Sequence, residues 1–234
     1  ISPKHHSDLN LTERLIRELG WVGEIASNDD SEEVISRVHQ NCMNLWKVRS
    51  SGGRYMKKEV SFPAGLELAE WYYDDRLDGV CNHETRGHMP EDLRRYFFCA
   101  CFAKAKNKSP KLENFPESLL PQHSNVKGNG DNDLKKFADR FRVHPENKPS
   151  KTIMSHIAND GHYYIHYDPK QARSFTVREA ARLQTFPDNY FFEGARTQQY
   201  RQVGNAVPPY LAHQIAEVVS DLLHRALSPV HTID

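Results

Sequence analysis

Apolar residues recur at helical spacing in several stretches of this chain. Leu11, Leu15, Ile16 and Leu19 do so behind the capping residues Asp8 to Thr12, up to Gly20. Val34, Ile35, Val38 and Cys42 do so between Ser31 and Asn44. Leu93, Tyr96, Phe97, Cys101 and Phe102 follow a Pro90-Glu91-Asp92 helix start. Leu211, Ile215, Val218, Val219, Leu222 and Leu223 line one face of a last helix behind Pro208-Pro209. The aromatic-rich segment from Leu66 to Tyr73 predicts a short packed helix. Strand patterns are fewer. Arg140-Phe141-Arg142-Val143 alternates as an edge strand would, and Pro149 to His156 with Gly161 to Tyr167 reads as a hairpin around Asn159-Asp160-Gly161. Ser50 to Gly53 reads as a turn or joint, and residues 104–135 as loop-rich, with a basic run from Lys104 to Lys111 that reads as a solvated surface ahead of a phosphate contact. The lone Gly-x-Gly at Gly128–Gly130 follows no apolar strand, so it reads as a flexible loop and not a dinucleotide fingerprint.

The densest local signals lie between Arg173 and Ala212. Thr176-Val177-Arg178-Glu179 has the form of a capping box, in which the hydroxyl and the carboxylate each satisfy a helix-start N–H. Phe186-Pro187 predicts the end of that helix. Gly204-Asn205 is a pair that tolerates positive φ, which predicts a tight loop at the N-terminus of the last helix, with N–H groups free for a ligand.

Composition changes this picture modestly. The chain has 234 residues, enough for one large domain or two small ones, and its hydrophobic share of 38% implies a modest core or apolar surface kept for a partner. Net charge is zero, so any nucleic-acid surface must be local. Residues 135–173 supply such a surface: Lys148, Lys151 and Arg173 lie among Tyr and His residues. The bland alternative is an ordinary solvated sheet edge. No run of ~20 apolar residues is present, so no membrane span is expected. No apolar leader opens the chain, which leads to the expectation of a cytoplasmic protein, and Ile1 in place of Met to the expectation that the natural start lies elsewhere. Four cysteines do not make a disulfide framework at this length. Cys81, His83, His88, Cys99 and Cys101 admit two readings, a zinc site or buried thiols with hydrogen-bonded histidines. The one-residue gaps between paired ligands favour the second, and no metal is expected.

Two wordings go further. Arg178-Glu179-Ala180-Ala181-Arg182-Leu183-Gln184-Thr185-Phe186-Pro187-Asp188, followed by Gln202-Val203-Gly204-Asn205-Ala206-Val207-Pro208-Pro209, resembles the last two conserved blocks of the cytosine-5 DNA methyltransferases, in the family's order. The resemblance implies an α+β chain in three parts. Residues 1–53 would be a helical lead-in. Residues 54–172 would be a target recognition domain of short strands and loops with helices. Residues 173–234 would hold C-terminal helices that complete a Rossmann-like methyltransferase domain. It implies S-adenosyl-L-methionine as cofactor, touched by Asn205 and Ala206. It places Thr152-Ile153 near a flipped target base, and Lys148, Lys151 and Arg173 on the phosphate backbone. Arg178, Glu179, Arg182, Gln184, Pro187, Asp188, Gln202 and Gly204 would be structural.

The family's Pro-Cys-Gln nucleophile, its Phe-x-Gly-x-Gly cofactor loop and its Gln-x-Arg-x-Arg strand are absent from these residues. The nearest approach to its Glu-Asn-Val is Glu113-Asn114-Phe115. The expectation is therefore the C-terminal portion of a restriction-modification cytosine-5 methyltransferase. It would act on duplex DNA with an N-terminal catalytic segment or subunit carrying Pro-Cys-Gln, and would be inactive alone. The alternative is a stand-alone sequence-specific DNA-binding module without catalysis.

Overall fold

The computed structural model of the chain describes residues 21–22, 31–42, 52–58, 61–62, 64–121 and 140–227. The expected helix from Leu11 to Leu19 and the Gly128–Gly130 loop lie outside them. In chain order the regular elements are α1 (Ser31–Cys42), β1 (Gly52–Lys57), α2 (Ala69–Tyr72), β2 (Gly79–Glu84), α3 (Pro90–Lys106), α4 (Val177–Leu183), α5 (Arg196–Asn205) and α6 (Pro209–Leu227). β1 and β2 form a two-stranded antiparallel sheet, with Gly52 opposite Glu84 and Lys57 opposite Gly79. The fold is α+β. Gly52 and Gly53 therefore open a strand and are no free joint. Gly52 has a φ of 81°, and a Cβ there would run into the His83 carbonyl.

A first core gathers on α3. Leu93, Tyr96, Phe97, Phe98, Cys99 and Phe102 are buried on all sides of this helix, so it is enclosed and not amphipathic. Pro90 at its first turn, with Glu91 and Asp92, suits the positive helix end. Asn107 closes the other end in the left-handed region and donates its N–H to Ala103 O. Val34 and Val38 of α1, Trp21, Phe115 and Phe141 pack on it, with Phe98 and Phe115 ring centroids 4.9 Å apart.

A second core joins Ile153, Ile157 and Tyr164 to Phe175, Val177, Ala180, Ala181, Phe186, Phe192, Tyr200 and Val203. It draws on both sides of residue 172. The expected hairpin in this region does not form. Ser155–Ala158 is a 3-10 turn, Gly161 sits at a φ of 81°, and Ile165 makes isolated bridges to Val143 and Ser174. The β-rich composition of Gly161 to Tyr167 serves to fill cores: Tyr164 and Ile165 are buried, in the second and the first respectively.

α6 stands apart. Leu211, Ile215, Val218, Val219, Leu222 and Leu223 are 47–60% exposed, so the apolar face predicted from the sequence exists but is uncovered. Only its first turns meet the body, where Tyr210 and His213 lie 5.1 and 5.5 Å from the Trp71 ring. Among the described residues no helix is long and apolar enough to cross a membrane.

Candidate functional site

α4 and the loop that follows it are the hub onto which the flanking segments fasten. Thr176 caps the helix as predicted. Its hydroxyl accepts from Glu179 N at 3.2 Å, and Glu179 accepts from Thr176 N at 2.8 Å. Arg173 lies across this box and donates to both Glu179 oxygens at 2.6 Å. Gln171 Oε1 accepts from its Nε and Nη2, and Ser174 O from its Nη1. Arg173 is only 4% exposed, so the structure turns inward the guanidinium that the sequence assigned to the phosphate backbone.

Among the described residues Arg178 is the largest fully buried side chain. It donates to Cys81 O at 2.9 Å, Pro187 O at 3.1 Å and Tyr190 O, which bolts β2 and the Pro187–Tyr190 turn onto α4. Arg182 forms a bidentate pair with Asp188, at 2.8 and 2.6 Å. Asp188 N donates in turn to Tyr72 O, and Trp71 donates to Thr185 O at 2.7 Å. The short aromatic helix α2 is thereby held to the same hub.

The helix ends at Leu183, before Phe186-Pro187. Thr185 has a φ of 60°, with its N–H on Arg182 O and the Phe186 N–H on Ala181 O. That is a Schellman closure with a β-branched residue at a position where glycine is usual. The Thr185 hydroxyl accepts from Tyr210 N at 3.1 Å, in the first turn of α6. Pro208 and Pro209 have no N–H, so the first donor of that turn is already taken. The expected cradle of free N–H groups at this helix start is accordingly reduced.

Gly204 and Asn205 are not in a positive-φ turn. They form the last turn of α5, and Ala206 is its extended C-cap. Gly204 is required for a different reason: a Cβ there would stand 2.5 Å from Met154 C and Ser155 N. The backbone after Thr152-Ile153 thus passes directly over the Gly204 helix end. Gln184, 5% exposed, points its amide nitrogen at Val203 O (3.2 Å), Ile153 O (3.3 Å) and Ala206 O (3.5 Å). Ile153 is itself buried in the second core, while Thr152, Lys148, Lys151 and Asn205 are exposed. Gln202 is exposed and donates to Glu193 O at 3.0 Å. Two segments fifty residues apart in sequence are so brought side by side.

Sequence reasoning missed two anchors. Asn82, buried with a φ of 54°, exchanges a donor and an acceptor with the Phe192 main chain, both at 2.9 Å. Arg86 donates to Ile157 O and lies 4.1 Å from the Tyr200 ring centroid. The polar run Val80 to His88 was the available signal, but nothing local gives its destinations. The cysteines and histidines of that region part company. His83 meets the Thr176 hydroxyl at 3.0 Å, His88 the Ser174 hydroxyl at 3.1 Å, and Cys99 the Phe141 carbonyl at 3.5 Å. Burial pushes the Cys81 and Cys99 thiols up, away from the thiolate form.

The model of the C-5 cytosine-specific DNA methylase family matches residues 79–221, more than half of the chain. A type II methyltransferase of Bacillus paralicheniformis is 44% identical over 146 residues, 62% of this chain and 31% of the relative. A type II methyltransferase of Haemophilus parahaemolyticus is 37% identical over 140 residues, 60% of this chain and 31% of the relative. A DNA (cytosine-5-)-methyltransferase of Aeropyrum pernix is 45% identical over 82 residues, 35% of this chain and 17% of the relative. The chain spans about a third, or less, of the length of these relatives. No solved structure matches it. Taken with the hub built by Arg178, Gln184 and Gly204, the matched stretch shows that the chain belongs to the C-5 cytosine-specific DNA methylase family.

Proposed function

We propose that this chain is the target-recognition and C-terminal portion of a DNA (cytosine-5-)-methyltransferase of the restriction-modification kind. The complete enzyme transfers a methyl group from S-adenosyl-L-methionine to C5 of cytosine in a specific duplex sequence. The observation that carries the reading is the juxtaposition of the Thr152-Ile153 segment with the Gly204–Ala206 segment, closed by Gln184. Thr152 is exposed on the first segment and stands near the flipped base, with Ile153 anchoring the main chain beneath it. Lys148 and Lys151, exposed on the same loop, meet the phosphate backbone, where they set salt dependence more than sequence choice. Asn205, with an exposed carboxamide, and Ala206 form one wall of the cofactor pocket. This polar, small-residue edge fits a nucleoside or an amino-acid group, and the bound cofactor supplies the methyl group.

The nucleophilic thiolate comes from an N-terminal catalytic segment carrying Pro-Cys-Gln. Covalent addition to the base is the step that makes C5 reactive. Two observations support a source outside these residues. The Cys81 and Cys99 thiols are buried and pushed up, and none of the four cysteines follows a proline. The uncovered face of α6 is where that segment docks, and α6 with α5 then completes a Rossmann-like domain.

Transfer of labelled methyl groups to duplex DNA tests the proposal, with the chain alone and with the protein segment encoded immediately upstream. No transfer alone and transfer on mixing is the expected result. Transfer by the chain alone would overturn the division of labour. DNA binding without transfer in either case would point to a binding module.

A further inference from the structure

We propose that Gln184 is a positioning residue. It holds the segment carrying Thr152 and the segment carrying Asn205 and Ala206 in one register, so that occupancy of either is felt at the other. This rests on the reading above, in which the first segment meets the target base and the second the cofactor.

The first segment has no regular structure of its own, and the second runs from the last turn of α5 into the link that follows it. Residues 149–154 belong to no helix or strand, and Ala206 to Pro208 is the short link between α5 and α6. Their placement comes from what they touch. One buried amide group faces three main-chain carbonyls, those of Ile153, Val203 and Ala206. It has two N–H donors for three acceptors, so the three carbonyls share it and any displacement of one redistributes the bonds to the others. The Met154-Ser155 backbone also lies so close over Gly204 that no Cβ fits. Ile153 and Val203 are 2% and 0% exposed in the same core. The two segments are therefore held at three points and move as one body. A ligand that orders one of them orders the other, which is a coupling between their binding sites.

The experiment uses the chain assembled with its upstream segment and a duplex that the wild-type assembly methylates. The Kd of S-adenosylhomocysteine is measured with and without that duplex, and the ratio is the coupling factor. Gln184→Met keeps the volume and removes the donors. Gly204→Ala leaves Gln184 intact and wedges the same two segments apart. Each is expected to bring the coupling factor toward one and to lower kcat by about 100-fold, the scale of a 1 Å misplacement. Thermal unfolding is followed in parallel. A lower Tm with an unchanged coupling factor and kcat would show a merely structural amide and would overturn the inference. So would a wild-type coupling factor of one. If Gln184→Met fails to fold, Gln184→Asn, which keeps the amide but shortens its reach, and Gly204→Ala decide the matter by the same readouts. A wild-type assembly that transfers no methyl would instead overturn the function on which the inference rests.

Discussion

Glu179 accepts from the Thr176 N–H and from both outer nitrogens of Arg173, with His166 3.7 Å away. Burial alone would push its carboxyl up, but the Arg173 guanidinium overrides this and holds it well below the usual carboxylate range. His166 is pushed down to about 4 by burial, and His83 beside the same cluster is also pushed down by burial. Both imidazoles are thus neutral in the folded protein at pH 7, whereas in the unfolded chain they take up protons near pH 6.5. Between pH 6.5 and about 4 the unfolded state binds more protons, so stability falls as the pH falls. Below that range protonation of Glu179 in the unfolded chain adds a loss of the same sign. The urea midpoint should drop between pH 7 and pH 5, the unfolding free energy falling by at most ~1.4 kcal/mol per pH unit for each histidine. His166→Gln should shrink that drop, and identical midpoints at the two pH values would count against it. The capping box at the centre of this cluster was legible because its partners are three residues apart. The destination of Arg173 was not, because a basic side chain looks the same in sequence whether it meets a phosphate or a carboxylate across the chain.

At the scale of elements, the end of α4 shows where local rules stop. Pro187 is a helix breaker and marks a stop in the sequence, yet the helix ends at Leu183 because Thr185 takes the left-handed region. A β-branched residue there costs roughly 1–2 kcal/mol. The hydroxyl that caps Tyr210 N returns about 1 kcal/mol. Thr185→Gly should therefore leave global stability within about 1 kcal/mol of wild type while loosening the joint between α4 and α6. Amide exchange at Tyr210 should quicken by several-fold, about 1 kcal/mol of lost protection corresponding to a factor of roughly five. Unchanged exchange there would show that the hydroxyl bond is unimportant. Gly204 teaches the complementary lesson. Positive φ was the reason the sequence offered for a glycine here, whereas the structure needs it for a close backbone approach, which depends on a segment fifty residues away. The failed hairpin has the same origin. Alternating Tyr, Ile and His can fill two cores as readily as they can line a sheet.

At the scale of the whole molecule, the last helix was legible as amphipathic, but nothing in its spacing says what covers its apolar face. A nineteen-residue helix in contact with the body only through its first turns gains little from tertiary burial. Its row of exposed Leu, Ile and Val is the surface expected at an interface. Ile215→Lys combined with Leu222→Lys should leave the Tm of the chain alone nearly unchanged and reduce its self-association in light scattering. The same pair should abolish assembly with the upstream segment. Wild-type assembly by the double variant would move the docking surface elsewhere.

The uncovered helix also bears on how long a copy of this chain survives in a cell. Quality-control proteases act on segments that open easily, and a helix with almost no tertiary support opens far more often than the hub behind it. Copies whose apolar face is covered should therefore outlast bare copies in a pulse-chase, and equal half-lives would count against this. The steady-state abundance of the chain would then follow the supply of whatever covers α6 more closely than its own synthesis.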